Sequence, residues 1–443
     1  MSLEVLSEVE PGAREAVQRQ RAEAAAPDRI VRIGLLGLGQ VGQAVARLVA
    51  RTGRDTLGHR FRIEAALVRH VDQPRRCTRP PRLTSNPSAF LRGRYDLVIE
   101  ALGTVEPART LVARLLGRGV PVVTANKALV AAHGPELARL AARTGASFRY
   151  EATALAGVPF LGALAARPLL ASLDGFTAVV NGTSNFILST LAAEGGALDP
   201  ALARAQQLGL AEPDPSRDLD GEDAADKLQL LAALAGWGRL ARPGLEVQGI
   251  RGIDGADLAA ARALGGTLKP VAAARLLPDG ALEAFVGPVF VAREHPLASL
   301  AGTLNGIQLH GRYVRDLFFS GPGAGPDVTA ATLVDDGVEA VSSLRRVHRA
   351  AVARGAAPRA AASPATPWFV RLSFPGIVPA AADVASRLAD AGLPADLVSA
   401  GAEPSGRTRW ALTPLASKAH VDAALARLRH AHRVDAVAFR RIP

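Results

Sequence analysis

Lysine is rare in this sequence. Of 52 basic residues only four are lysines: Lys127, Lys227, Lys269 and Lys418. Arginine occupies nearly every place where any positive charge serves. A retained lysine is therefore a candidate for work arginine cannot do, because its pKa can fall into a working range while a guanidinium stays protonated. Lys227 closes the stretch GLAEPDPSRDLDGEDAADKL, residues 209–228, which carries seven carboxylates. Acids at this density either hold a polar substrate or cap the helix that follows, and a lysine beside them can move a proton. Lys227 falls one helical turn after Asp223. Leu228, Leu230, Leu231 and Leu234 leave that helix little polar surface, so the pair is expected to be largely buried. A solvated i,i+4 pair, worth about 0.3–0.5 kcal/mol, is the alternative. Asp214, Asp220, Glu222 and Asp226 read as helix-start acids that complement the dipole, and Asp218 lies between the two classes. Lys269 reads as structural, Lys418 as a surface residue, and Ser184 in NGTSNF as a helix N-cap.

The elements that must position these groups follow from the pattern. Residues 30–50, IVRIGLLGLGQVGQAVARLVA, run from an apolar strand through glycines into an amphipathic helix. Gly37, Gly39 and Gly42 form G-x-G-x-x-G at that junction: one for the turn, one for close approach to a pyrophosphate, one for helix–strand packing. The next strand, 61–70, ends in Arg69 where an NAD-binding chain carries an acid, and Arg75, Arg76, Arg79 and Arg82 follow; this favours NADP over NAD. YDLVIEALGT (95–104) and GVPVVTANKALVA (119–131) continue a βαβ rhythm. Gly103, Thr104, Asn126 and Lys127 fall at strand carboxyl ends, where ligands bind.

The expected fold class is α/β. A Rossmann-like doubly wound domain over 30–150 follows an N-terminal extension, 1–29. An α+β catalytic and dimerisation domain spans 151–350, with helices at 184–194, 199–209, 222–236 and 327–350, the last returning to the nucleotide domain. A linker covers 351–367, and 368–443 reads as a βαββαβ module. At 443 residues, 49% hydrophobic and 21% charged, the composition is that of a globular protein. No apolar run of about 18 residues predicts a membrane span, and the N-terminus has no signal-peptide core. One cysteine, Cys77, excludes an internal disulfide, and the compartment is expected to be cytoplasmic. Net charge is +11, but aromatics are 4% and no basic run alternates with them, so nucleic acid is not an expected partner. The nine histidines have no metal-ligand spacing.

Along most of its length the chain resembles the homoserine dehydrogenase family. The resemblance rests on GLLGLGQVGQAVARL, VVTANKALVA, YEATALAGVP, VVNGTSNFILSTL, AQQLGLAEPDPSRDLDGEDAADKL, HPLASLAGTLNGIQL and GPGAGPDVTAAT, in this order. It implies reversible NAD(P)H-dependent reduction of L-aspartate 4-semialdehyde to L-homoserine, on the route to threonine and methionine, by a Rossmann-like domain joined to a dimerising catalytic domain. It implies cofactor contacts at Gly37, Gly39, Gln40, Val41, Gly42, Arg69, Gly103, Thr104, Lys127, Gly209 and Gly323. Glu212, Asp218 and Asp223 match substrate-binding acids, Lys227 the proton donor, and Lys127 a lysine beside cofactor and substrate. Backbone oxygens of Glu151, Ala154, Ala156 and Val158 match a monovalent-cation site, usually sodium. A homodimer or higher homo-oligomer is implied, and the C-terminal module resembles an ACT domain with a possible amino-acid effector. Departures are Leu155 and Val328, where the family usually has glycine and proline, and the missing aspartate before Pro375-Gly376. A non-catalytic amino-acid sensor, or a dehydrogenase of another small amino acid or aldehyde, are the alternative readings; the set of Lys127, Glu212, Asp223 and Lys227 argues against the sensor.

Overall fold

The computed structural model describes residues 30–52, 59–77, 79–167, 172–238, 240, 244–313, 315–342, 359–361, 365–400 and 407–442. The expected extension 1–29, most of the linker, and the expected helix beyond Ser342 lie outside them. Contacts divide the chain into two compact units. One is drawn from Met1–Ala171, Leu230–Gly238 and Ala324–Gly355, the other from Ser172–Gln229, Arg239–Gly323 and Ala356–Pro443.

In chain order the elements begin β1 (Ile30–Leu36), α1 (Gln40–Arg51), β2 (Arg60–Leu67), β3 (Arg82–Thr84), α2 (Pro87–Leu91) and β4 (Leu97–Glu100). There follow α3 (Ala108–Gly117), β5 (Val122–Thr124), α4 (Lys127–Thr144), β6 (Phe148–Arg149) and α5 (Leu161–Ala166). Next come β7 (Leu173–Val179), α6 (Gly182–Glu194), α7 (Leu198–Gln207), α8 (Ser216–Leu219) and α9 (Glu222–Leu234). The chain continues through β8 (Glu246–Val247), α10 (Gly255–Ala263), β9 (Gly266–Leu276), β10 (Leu282–Ala292), β11 (Leu304–Gly311), β12 (Arg315–Pro322) and α11 (Pro326–Ser342). Last are β13 (Thr366–Ser373), α12 (Ala381–Asp390), β14 (Leu397–Ala400), β15 (Thr408–Ala416), α13 (Lys418–His432) and β16 (Asp435–Ile442).

The first unit is built on a six-stranded parallel sheet, order β3-β2-β1-β4-β5-β6. Helices cover both faces of its central strands, and every residue of β4 and β5 is buried, the polar ends Glu100 and Thr124 included. This is the doubly wound order with its switch point at β1/β4. Helix α11 joins the same layer as α1, with Leu333 and Val334 in one core with Val45 and Val49.

The second unit holds a ten-stranded sheet in the order β12-β11-β7-β9-β10-β16-β13-β15-β14, with β8 also on β10. The expected βαββαβ order is present from β13 to β16. Its strands continue the larger sheet, because β16 pairs in parallel with β10 through Val289–Arg440, Phe290–Arg441 and Val291–Ile442. Phe369 sits 5.3 Å from Phe290 and 5.9 Å from Phe439, between ring centroids, so one aromatic seam crosses the junction. No described helix is long and apolar enough to cross a membrane.

Candidate active site

The glycine loop fits its motif for separable steric reasons. Gly37 has φ +99°, and a Cβ on it would lie 2.6 Å from the Ala101 carbonyl oxygen. A Cβ on Gly42 would meet the Gly37 carbonyl at 2.4 Å, so α1 packs on the loop only with glycine there. Gly39 is different: a Cβ would meet nothing within 4 Å. It is the N-cap of α1, makes no side-chain cap bond, and the first turn carries no acid. Open space above bare helix-start amides suits a pyrophosphate. Gln40 is the exposed first residue of α1, and Val41 is half-buried against the core. Arg69 is exposed just beyond β2, as are Arg76 and Arg79. Arg75 is turned onto its own loop, donating to the carbonyls of His70 and Gln73 at 2.6 and 2.8 Å.

At the carboxyl ends of β4 and β5 one buried acid organises two loops. Glu100, fully buried, accepts the Leu102 N–H at 2.7 Å, the Thr124 hydroxyl and the Asn126 amide at 3.3 Å. Burial pushes its carboxyl above the usual range despite these donors. Asn126 also donates to the Thr104 carbonyl at 2.7 Å, and its oxygen caps α4 through the Leu129 N–H at 3.0 Å. That cap presents Lys127, exposed, as the first residue of α4. Gly103 has φ +80° and open space at its Cβ position. Glu100 carries no motif signal; it is the last letter of an apolar strand.

The segment matched to a cation site is internally bonded. The Glu151 carboxylate accepts the N–H groups of Phe160, Leu161 and Gly162 at 3.0, 2.9 and 2.6 Å. The Glu151 carbonyl accepts Ala154 N–H at 3.3 Å, Val158 accepts Phe160 N–H at 3.0 Å, and Ala156 accepts the Thr332 hydroxyl at 2.9 Å. Leu155 is fully buried, and left-handed backbone falls instead on Ala156, φ +41°. Carbonyls keep a second lone pair, and an all-neutral oxygen set suits a hard monovalent ion better than a transition metal. Among the described residues no cluster of three or more His, Cys, Asp or Glu is placed for a metal ion.

In the second unit Asp218, Asp223 and Lys227 come together. The Lys227 ammonium lies 2.8 Å from Asp223 and donates to the Val180 carbonyl at 2.6 Å; the two side chains are 13% and 20% exposed. Helix α9 starts after Gly221, φ +81°, with Glu222 and Asp223 in its first turn, where the helix dipole favours acids. Asn181 is the residue that sequence reading missed. Its Nδ2 donates to Asp218 at 2.7 Å and to Asp223 at 3.0 Å. Its Oδ1 accepts Ser184 N–H at 2.8 Å, so Asn181, and not Ser184, is the N-cap of α6. Ser184 instead donates its hydroxyl to the Asp218 carbonyl at 2.9 Å. The run N-G-T-S offers three capping side chains, and only the tertiary partners of Asn181 single it out.

The expectation that the other acids serve helix starts holds for Asp214 and Glu222, but not for Asp220, the C-cap of α8, or Asp226, beyond the first turn of α9, which form ion pairs with arginines instead. Asp214 accepts the Ser216 N–H at 3.1 Å, Asp220 pairs with Arg251, and Asp226 pairs with Arg217 at 2.6 Å. Glu212 is exposed, and its carbonyl takes the Gln206 amide at 3.1 Å. Gly209 has φ +70° and open space at its Cβ position. Gly323 is crowded: a Cβ there would lie 2.1 Å from Cγ of Asn305. Asn305 is 1% exposed and donates to the Val180 carbonyl at 3.1 Å. Lys269 is buried with its ammonium on the Leu300 carbonyl and its pKa lowered to about 8 by burial, while Lys418 pairs with Asp422 at the surface.

The family model described as homoserine dehydrogenase matches residues 159–338, and the model of its NAD-binding domain matches 37–151. A homoserine dehydrogenase of Synechocystis is 38% identical over 329 residues, 71% of this chain and 74% of that one. One from Corynebacterium glutamicum is 36% identical, over 73% and 74% of the two chains. The crystal structure of a homoserine dehydrogenase from Thiobacillus denitrificans, 29% identical, covers 94% of this chain and 98% of its own with a TM-score of 0.79. The chain therefore belongs to the homoserine dehydrogenase family, as an NAD(P)-dependent enzyme.

Proposed function

We propose that Lys227 is the acid of the reaction, protonating the oxygen of aspartate 4-semialdehyde as the aldehyde becomes the alcohol of homoserine. A bound nicotinamide supplies the hydride. The observation that carries the assignment is the seat of the ammonium, between the Asp223 carboxylate at 2.8 Å and the Val180 carbonyl at 2.6 Å, with little solvent. Both partners favour the charged form, so the lysine is held as a proton donor and as a positive charge for the developing alkoxide. Asp218, Asp223 and Glu212 hold the amino group of the substrate. Gly37, Gly39, Gln40, Val41, Gly42, Gly103, Thr104, Lys127, Gly209 and Gly323 serve the cofactor. Lys227→Ala is expected to lower kcat by about 100-fold or more, with NADPH binding, followed by nicotinamide fluorescence, close to normal. Wild-type kcat in that variant refutes the role of Lys227.

The cofactor preference is NADP, held at its 2′-phosphate by Arg69 with Arg76 and Arg79 nearby in sequence. Arg69→Ala is expected to raise KM for NADPH about tenfold and leave NADH unchanged; equal effects on both overturn the preference. A sodium ion on the carbonyls of Glu151, Ala154, Ala156 and Val158 would be read out as a rate that falls when sodium is replaced by a bulky organic cation. A homodimer through the second sheet is tested by sedimentation. Titration with threonine tests for an effector at the C-terminal module; a flat response leaves the module to assembly. A cytoplasmic location suits the single cysteine.

A further inference from the structure

We infer that Asn181 is a positioning residue of the reaction, one amide that fixes Asp218 and Asp223 while capping the helix beside them. The inference rests on the reading of Asp218, Asp223 and Lys227 given above. Asn181 is 4% exposed and directly follows Val180, the residue whose carbonyl takes the Lys227 ammonium. A single Nδ2 reaches Asp218 at 2.7 Å and Asp223 at 3.0 Å, and these acids come from two separate helices, α8 and α9. The amide cannot be flipped without loss, because Oδ1 takes the Ser184 N–H at 2.8 Å and a flipped amide would set a donor against that donor. The α6 cap therefore orients the bridge. Two carboxylates drawn to one donor are held apart from free rotation and close to each other, a geometry that their mutual repulsion opposes. Adjacent positions at the end of β7 thus set the lysine through a backbone oxygen and the acids through a side chain.

The capping and bridging roles can be separated. Serine caps a helix nearly as well as asparagine but cannot supply the amide N–H groups, so Asn181→Ser keeps the fold and removes the bridge. It is expected to lower kcat/KM for aspartate semialdehyde about 30-fold, on the scale of losing hydrogen bonds to charged acceptors, mainly through KM. KM for NADPH should stay within about twofold and the thermal midpoint near that of the wild type. Asn181→Asp also keeps a capping oxygen but adds a third carboxylate, and a loss beyond about 100-fold is expected. Wild-type KM for the semialdehyde in Asn181→Ser overturns the inference. So does a rise of both KM values together with a lower thermal midpoint, the result of a cap alone. In a cycle against Asp218→Asn and Asp223→Asn together, Asn181→Ser should add little, and full multiplicative loss also overturns it. Asp218→Asn and Asp223→Asn alone test the underlying reading: wild-type kinetics in both refute the acids' role, whatever Asn181 does.

Discussion

Asn305 shows how narrowly single side chains are fitted around the lysine. Its Nδ2 shares the Val180 carbonyl with Lys227, and its Cγ occupies the space where any side chain at residue 323 would begin. Gly323→Ala must push Asn305 away from that carbonyl. We expect a cost of about 1–3 kcal/mol in stability together with a fall in kcat, measured by thermal unfolding and turnover. Gly323→Ala combined with Asn305→Ala should recover the stability but not the turnover. At this scale the sequence was legible where chemistry or sterics are local. The i,i+4 spacing of Asp223 and Lys227 in an apolar helix anticipated a largely buried pair, and the glycine spacing anticipated the tight positions Gly37 and Gly42. Asn181 and Glu100 were not legible, because their partners lie 37 and 42 positions away for Asn181 and 24 and 26 away for Glu100, and neither belongs to a motif that names such partners.

Elements are joined by fewer, stronger ties. Asp257 in α10 is fully buried, accepts the Trp410 indole N–H at 2.8 Å and pairs with Arg371 of β13 at 2.7 Å. Burial raises its carboxyl above the usual range, with Arg371 opposing. Arg371→Met leaves a buried acid without its cation and is expected to cost about 3–5 kcal/mol, read from denaturant unfolding. Arg371→Met with Asp257→Asn should regain much of it; no recovery would show that the arginine acts by packing alone. The βαββαβ order of the C-terminal module was readable from alternating apolar segments. Its merger with the larger sheet was not, because alternation says which face of β16 is apolar and nothing about which strand lies beside it.

At the scale of the whole molecule, stability should depend on pH through buried acids. Asp336, 7% exposed, has its carboxyl pushed from the ordinary 3.8 up to about 7, by burial first and by Glu151 next. Between these values the folded chain keeps a proton that the unfolded chain has released. The contribution of this group is therefore full below about pH 4 and is lost as pH rises through about 7, on the order of 4 kcal/mol in all. Asp336→Asn keeps an oxygen for the Glu151 N–H, which lies 3.0 Å from the acid, but cannot titrate. Relative to that variant, the wild type should lose stability from pH 5 to pH 8 in chemical denaturation; a constant difference would refute the assignment.

The parallel pairing of β10 with β16 also has a consequence in time. Val289 and Arg440 lie about 150 residues apart, and ribosomes add roughly 5–20 residues each second. The edge of β10 therefore waits on the order of ten seconds for its neighbour during synthesis, offering unpaired backbone to any other strand nearby. The second sheet is completed last where it is joined in the middle, so the nascent chain, more than the finished enzyme, is the form most exposed to misassembly.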